Sequence, residues 1–155
     1  MNDSKMNIEI TEITPLLYEF AAKAEREALN HEAWTEKGIA ETVESGGTYL
    51  VALNNGEYLG HIGMMAALDE RYITNIVVLP SARGLGIGSA LLKELINRQK
   101  ANKAAFLSLE VRASNLAAKK LYEKYGFSLR GVRKNFYRAP DEDAEIMTLD
   151  FEYKE

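Results

Sequence analysis

Residues 75–88 read Asn-Ile-Val-Val-Leu-Pro-Ser-Ala-Arg-Gly-Leu-Gly-Ile-Gly, and this stretch decides the fold. A β-branched run that ends at Pro80 predicts a strand, and periodic apolar residues from Ile87 onward predict a helix. The glycines between them allow backbone N–H groups to converge at the helix start, where four donors lack intrahelical partners. With the guanidinium of Arg83 beside it, this strand, loop and helix are typical of a site for an anion such as phosphate.

Composition narrows the class of protein. The chain has 155 residues, of which 46% are hydrophobic and 27% charged, as expected for one globular domain spanning residues 1–155. Its apolar runs are too short to span a membrane and its first twelve residues lack a secretory pattern, so we expect a cytoplasmic protein without a membrane partner. The net charge of −4 argues against nucleic-acid binding and favours a cationic partner, such as an amine or a basic peptide.

The side chains available for chemistry are equally restricted. The chain contains no cysteine and two histidines, His31 and His61. Disulfides, thiolate metal sites and a cysteine nucleophile are therefore excluded, and we expect no metal. We expect His31 on a loop surface and His61 half-buried in a strand. Catalysis would then use carboxylates, tyrosine, serine, lysine or backbone groups.

Sequence patterns around this stretch predict an α/β fold. Asn55-Gly56 between two apolar runs predicts a hairpin of strands over 48–53 and 57–68, followed by a strand over 71–79. The helix after the glycine loop leads to a strand over 105–111. We therefore expect a mixed, mostly antiparallel sheet of six or seven strands, with helices on both faces and one parallel β-α-β crossover. The apolar face of the helix after the loop is predicted to comprise Ile87, Leu91, Leu92, Leu95 and Ile96.

The outer parts of the chain are predicted from caps and periodicity. Thr14-Pro15 is typical of a helix start and follows a short strand from Ile8 to Ile13. The apolar face of that helix would include Phe20 and Ala28. The other predicted elements are a helix capped by Thr35, a helix over 115–125, and strands over 128–135 and 145–153 on either side of a polar loop at 139–143.

The glycine loop fits two kinds of nucleotide-binding loop. The first is the dinucleotide fingerprint G-x-G-x-x-G, in which Gly84 and Gly86 match, Ser89 replaces the last glycine, and Glu110 would be the ribose-binding acid. However, helix and antiparallel strand over residues 8–74 precede the loop, whereas a dinucleotide-binding domain opens with its β-α-β unit. A P-loop is excluded because Gly-Lys-Ser/Thr is absent.

The second kind is the acyl-CoA loop of the GCN5-related N-acetyltransferases (GNAT), which this chain resembles. Residues 83–88 match the motif R/Q-x-x-G-x-G/A that binds the pyrophosphate in that family. Residues 76–80 resemble its fourth strand, and residues 110–127 its second conserved block. Within the family the chain is most similar to the ribosomal-protein-alanine N-acetyltransferases, the RimI-like group, over most of residues 8–150.

The resemblance implies a GNAT fold and an acetyl-CoA-dependent N-acetyltransferase. In that family pattern Glu110 is the general base and Tyr122, near the cofactor sulfur, is the general acid. Trp34 and Tyr137 would contact the amine acceptor. The residues implied for acetyl-CoA are the backbone groups of Ile76, Val77 and Val78, the loop residues Arg83, Gly84, Leu85, Gly86, Ile87 and Gly88, and Asn115 together with Tyr122.

Amine acetylation requires an acid and a base in any case. An α-amine is protonated at neutral pH and must lose a proton before it attacks a thioester, and the leaving thiolate must gain one. The absence of cysteine favours direct transfer in a ternary complex over an acyl-enzyme. The residues alone also allow structural roles for these side chains. Glu110 would be exposed to solvent at the end of a strand, Tyr122 would pack in the core, and Asn115 would cap a helix.

The acceptor implied by the resemblance is the N-terminal α-amine of a protein, namely a ribosomal protein with an N-terminal alanine. A polyamine, an antibiotic amine, an amino acid or a lysine side chain are alternatives, because all of them are cationic. A non-catalytic module that binds coenzyme A or another nucleotide is a further alternative, and it would need neither Glu110 nor Tyr122. The oligomeric state stays open.

Overall fold

The computed structural model describes residues 6–29 and 32–153, so the expectation for His31 lies outside the described residues. Within that part of the chain no helix is both long and apolar enough to cross a membrane. The elements are β1 (Ile8–Glu12), α1 (Tyr18–Leu29), α2 (Glu36–Glu44), β2 (Thr48–Asn54), β3 (Glu57–Ala67), β4 (Glu70–Val78), α3 (Ile87–Ala101), β5 (Phe106–Arg112), α4 (Leu116–Lys124), β6 (Ser128–Tyr137) and β7 (Glu142–Asp150).

The strands form one sheet in the order β1-β2-β3-β4-β5-β7-β6. Only β4 and β5 pair in parallel, across the crossover made by α3, so the predicted mixed sheet is confirmed. The parallel pairing is short, because it joins Glu70, Arg71 and Tyr72 to residues 106–108 and then stops. The remaining residues of β4 and β5 are not paired with each other, and they border an open cleft at the C-terminal end of both strands.

Alternating strand residues build a core on each face of the sheet. Leu50 and Ile62 lie in the cluster with α3, whereas Tyr49 and Val51 lie in the cluster with α1 and α2. Because successive strand side chains point to opposite faces, this alternation fixes the strand register. The predicted apolar face of α3 is confirmed, since the side chains of all five residues are buried.

Local turn chemistry accounts for several of the boundaries. Asn55 and Gly56 both adopt positive φ, 50° and 85°, in the tight turn between β2 and β3, as their residue types predict. The Thr35 hydroxyl caps α2 by accepting a hydrogen bond from the backbone N–H of Gly38 at 3.0 Å. Gly126, with φ 98°, follows the end of α4, and buried Phe127 packs back onto the ring of Tyr122.

The predicted apolar face of α1 is wrong in part. Phe20 is 55% exposed and Ala28 is also exposed, whereas Ala22 and Glu25 are fully buried. The chain forms a 3-10 turn over Pro15–Leu17 before α1 begins, and Thr14 makes no side-chain cap. A 3-10 turn has three residues per turn, whereas an α-helix has about 3.6. The side of α1 that is buried is therefore rotated from the side expected for an α-helix that begins at Pro15.

Two further expectations need correction. The segment at 139–143 is not all loop, because β7 begins at Glu142, whose carboxylate accepts hydrogen bonds from Arg112 and from the backbone N–H of Ser114. His61 is fully buried rather than half-buried, because both of its ring nitrogens have hydrogen-bond partners in the core.

Candidate active site

A cavity of about 490 Å³ lies where β4 and β5 part. It brings together the end of β4, the glycine loop, the start of α3, the end of β5 and one face of α4. Such a position, at the C-terminal ends of strands that diverge, is where open α/β sheets bind ligands. The predicted site residues that line it are Ile76, Val78, Arg83, Gly84, Gly86, Ile87, Gly88, Glu110, Asn115, Tyr122 and Tyr137.

A bulge in β4 forms one wall of this cavity. Ile62 and Met64 of β3 are two residues apart, but their partners on β4, Ile76 and Ile73, are three apart. The extra residue lies between those partners, in the Thr74-Asn75 segment that lines the cavity. Because a bulge leaves a residue out of the ladder and bends the strand, β4 offers backbone hydrogen-bonding groups to a ligand.

The glycine loop forms the next wall and has the geometry of an anion site. Gly84 and Gly86 adopt φ values of 79° and 80°, which disfavour other residues, and Gly86 precedes α3 without a side-chain cap. A Cβ added at either glycine would meet no atom within 4 Å, so the loop is open. The first amides of α3 and the exposed Arg83 side chain are therefore available for a phosphate group.

Glu110 lies on β5 beside this loop and is accessible. Its side chain is 30% exposed, and its carboxylate oxygen Oε1 is 2.9 Å from Nε of Arg133 on β6. The carboxylate lines the cavity and also a neighbouring groove. A group in this position can take a proton from a substrate bound on either side.

Tyr122 faces the same cavity from α4. Its side chain is 7% exposed, and its ring centroid is 5.6 Å from that of Phe127. Burial raises the pKa of Tyr122 above its ordinary value, and the nearby Tyr137 adds to this shift. The phenol is therefore protonated at neutral pH and has a proton to donate. Asn115 orients α4 by accepting a hydrogen bond from the N–H of Ala118 at 3.2 Å, so the cap interpretation is confirmed.

A groove of about 610 Å³ lies on the other side of Glu110. Trp34, Arg133 and Phe136 line this groove but not the cavity. The cavity and the groove share a wall that includes Glu110 and Tyr137. The other residues on this wall are Glu32, Ile73, Thr74, Asn75 and Leu109. This arrangement allows two substrates to approach one carboxylate from opposite sides.

Tyr137 is held at this junction by Arg112. The Arg112 guanidinium lies 4.5 Å from the ring centroid and donates to the backbone oxygens of Arg138 and Pro140, each at 3.0 Å. It also pairs with Glu142 and Glu32. Burial raises the pKa of Tyr137 to about 12, with the charge of Glu110 adding to the shift and that of Arg112 opposing it.

Two predicted residues lie apart from the cavity. The side chain of Val77 packs in the cluster with α1 on the opposite face of the sheet, and Leu85 is 54% exposed and does not line the cavity.

Sequence reasoning missed Glu32, Asn75 and Arg112 as lining residues. Arg112 stands two residues after Glu110 and could have been found as its strand neighbour. Glu32 lies in a segment without periodicity and carries no comparable signal.

No metal centre accompanies these residues. Over residues 6–29 and 32–153, three or more histidine, aspartate and glutamate side chains do not come together in an arrangement that could hold a metal ion. The chemistry that this part of the chain offers is that of a carboxylate, a protonated phenol and an anion-binding loop.

The chain belongs to the Acetyltransferase (GNAT) family, whose model matches residues 10–127. The predicted fold and the predicted enzyme class, an acetyl-CoA-dependent N-acetyltransferase, are thereby confirmed.

Individual relatives agree with this assignment. Proteins from Bacillus subtilis (strain 168) and Escherichia coli (strain K12) are each 41% identical to the chain; the matches cover 64% and 75% of this chain, and 66% and 80% of the relative. The E. coli protein is named [ribosomal protein bS18]-alanine N-acetyltransferase.

Solved structures extend the likeness to almost the whole chain. The crystal structure of the ribosomal-protein-S18-alanine N-acetyltransferase from E. coli superposes with a TM-score of 0.88 at 33% identity, covering 96% of each chain. A GNAT family acetyltransferase from Elizabethkingia anophelis with acetyl-CoA bound has a TM-score of 0.75 at 25% identity, covering 94% of this chain and 99% of its own.

Proposed function

We propose that this protein transfers the acetyl group of acetyl-CoA to the N-terminal α-amine of a protein, and that its acceptor is ribosomal protein bS18 with an N-terminal alanine. The single observation that carries the proposal is the position of Glu110 on the shared wall of the cavity and the groove. The names of the E. coli relatives support the acceptor. A ribosomal acceptor and a chain without cysteine support action in the cytoplasm.

The residues of the cavity fit acetyl-CoA. The open glycine loop, Arg83 and the first amides of α3 would hold the pyrophosphate, and the bulged end of β4, with Ile76, Val77 and Val78, would supply backbone groups to the pantetheine arm. Asn115 borders the same cavity from the start of α4. Bound acetyl-CoA supplies the activated acetyl group as a thioester.

Glu110 and Tyr122 would perform the two proton transfers. Glu110 accepts a proton from the acceptor ammonium, which frees the nitrogen lone pair to form a bond to the acetyl carbonyl carbon. As the carbon–sulfur bond breaks, the protonated phenol of Tyr122 donates its proton to the sulfur. The nitrogen carries one extra proton after its attack and releases it to solvent as the amide forms. The products are the N-acetylated amine and coenzyme A. Glu110 then returns its proton to solvent and Tyr122 regains one, so the whole reaction releases one proton.

The groove suits the N-terminal segment of a protein. Trp34, Phe136 and Tyr137 provide apolar and aromatic walls, and Glu110 and Glu32 provide negative charge near the amine. An N-terminal segment fits this combination, because its ammonium is complementary to the carboxylates and its small first side chain can lie against the aromatic walls. We therefore assign Trp34 and Tyr137 to acceptor binding.

The test offers the enzyme a panel of acceptors with acetyl-CoA. The panel comprises a peptide with a free N-terminal alanine, the same peptide blocked at its N-terminus but carrying a lysine, and spermidine, with products read by mass spectrometry. We expect acetylation of the free α-amine alone. Transfer only to lysine or spermidine would overturn the acceptor, and a thermal shift with NAD but none with acetyl-CoA would overturn the acetyltransferase itself.

A further inference from the structure

A buried carboxylate that this chemistry does not use lies directly behind the acceptor groove. Glu25 of α1 is fully buried, and its two oxygens accept three hydrogen bonds. Oε2 is 2.7 Å from Nε2 of His61, while Oε1 accepts from the backbone N–H of Trp34 at 3.1 Å and from Nδ2 of Asn75 at 3.0 Å. One carboxylate therefore joins α1, β3, β4 and the segment that precedes α2.

The far side of His61 completes the network. The Tyr58 hydroxyl is 2.5 Å from Nδ1 of His61. If this hydroxyl donates to Nδ1, then Nε2 carries the proton of the neutral ring and donates a hydrogen bond to Glu25. Both ring nitrogens of His61 then have a partner. Tyr58 lines neither the cavity nor the groove, whereas Trp34 and Asn75 line the groove.

We propose that Glu25 is a positioning residue for the acceptor site, because it sets the distance between Trp34 on one wall and the β4 bulge at Asn75 on another. The role rests on the proposed function. Trp34 is held at two points, by the bond from its backbone N–H to Glu25 and by the contact of its ring with α2. A Cβ added at Gly38 would lie 3.1 Å from Cε3 of that ring.

The two oxygens of Glu25 explain why a carboxylate occupies this site. An amide such as glutamine has one accepting oxygen, so it could accept from Trp34 and Asn75 but would then turn its amide N–H groups towards Nε2 of His61. Burying an ionised group is costly unless donors surround it, and here three donors do so. Such a network holds its members at defined distances, which apolar packing between the same elements would not require.

Trp34 is the only tryptophan in the chain, so its fluorescence reports directly on the segment that Glu25 holds. The first variant is Glu25→Leu, which removes both accepting oxygens, and for it we expect Trp34 emission to move to longer wavelength in the folded protein. We expect the KM for a peptide with a free N-terminal alanine to rise about tenfold, as for loss of one hydrogen bond to a charged group. The Kd for acetyl-CoA should change less than the acceptor KM does, because Glu25 is bonded to the cavity only through Asn75, whereas Trp34 lines the groove alone.

The second variant, Tyr58→Phe, is milder and removes only the hydroxyl that orients His61. We expect a smaller shift of Trp34 emission to longer wavelength and an acceptor KM that is raised about twofold to threefold. Gln99→Ala is the matched control, because Gln99 is also buried and hydrogen bonded, to Arg71, but lies outside the cavity and the groove. It should lower Tm without changing Trp34 emission or the acceptor KM.

The proposal is overturned if folded Tyr58→Phe and Glu25→Leu proteins lose Tm as the control does but keep wild-type emission and acceptor KM. If Glu25→Leu does not fold, the Tyr58→Phe result decides alone. A wild-type protein that acetylates no alanine peptide would contradict the proposed function, whereas the emission shift would still test whether Glu25 positions Trp34.

Discussion

The carboxylate of Glu110 on β5 forms an ion pair with the guanidinium of Arg133 on β6, with 2.9 Å between Oε1 and Nε. Arg133 lines the groove in which the acceptor amine would bind, and 57% of its side chain is exposed. The proposed base thus already has a cationic partner on the side from which a cationic acceptor approaches. Acceptor binding would exchange one cation for another beside Glu110.

Arg133→Gln should therefore lower the KM for the acceptor. The gain should be at most about fivefold, because an exposed ion pair is worth about 1 kcal/mol or less. The measurement is steady-state kinetics with an N-terminal-alanine peptide at low salt. Arg130→Gln is the control, since Arg130 lies on the same strand and pairs with Asp150 away from the groove. A higher KM in Arg133→Gln would mean that Arg133 binds the acceptor instead.

Glu110→Gln and Tyr122→Phe should each reduce kcat by about 100-fold to 10,000-fold, the usual range for a general acid or base. Both changes preserve shape, so we expect the Kd for acetyl-CoA, measured by calorimetry, to be unchanged. Retained activity in either variant would contradict the role assigned to that residue. Retained activity in both would mean that the enzyme works by positioning its two substrates, without proton transfer by these two residues.

Gly86→Ala should weaken acetyl-CoA binding by about tenfold or more, because the φ of 80° disfavours a side chain and the first amides of α3 would shift. The control is Gly46→Ala, at a φ of 97° after α2, which also faces open space. Both variants should lose about 1 to 2 kcal/mol of unfolding free energy. Only the Gly86 variant should change the Kd, and equal effects on binding would contradict the assigned loop.

Arg112→Lys should destabilise the turn between β6 and β7 and raise the acceptor KM. Lysine lacks the planar fork that contacts Glu142 and two backbone oxygens while the guanidinium stacks on Tyr137. We expect a loss of about 1 to 3 kcal/mol in urea unfolding. Arg98→Lys, at a surface residue with ion pairs of 3.6 and 3.9 Å, should cost about 0.5 kcal/mol or less. Similar losses for the two variants would contradict the role of Arg112.

Tyr137 should contribute to alkaline unfolding. Its pKa is raised to about 12 in the folded protein, against about 10 when unfolded, so folding favours the protonated phenol. This contribution to stability is complete below about pH 10 and is lost as pH rises towards about 12. Between about pH 10 and 12, the urea midpoint of Tyr137→Phe should therefore fall less than that of the wild type. An equal loss would contradict this assignment.

The sequence alone determined the parts of the fold that depend on local backbone chemistry. The strand before Pro80, the hairpin at Asn55-Gly56 and the apolar face of α3 are all present as predicted. Each follows from torsion preferences or side-chain periodicity within a few residues. The resemblance to the acetyltransferase family rested on residues of β4, of the same loop, and of β5 and α4, several of which line one cavity.

Only the tertiary structure decided how distant polar groups pair. Glu25 and His61 are 36 residues apart, and Glu32 and Arg112 are 80 residues apart, so no periodic pattern connects them. The early end of β4–β5 pairing is decided by packing across the sheet, which the periodicity of one segment does not encode. A buried charge is stable only where folding brings donors to it, and therefore Glu25 could be understood only once the fold had placed three of them around it.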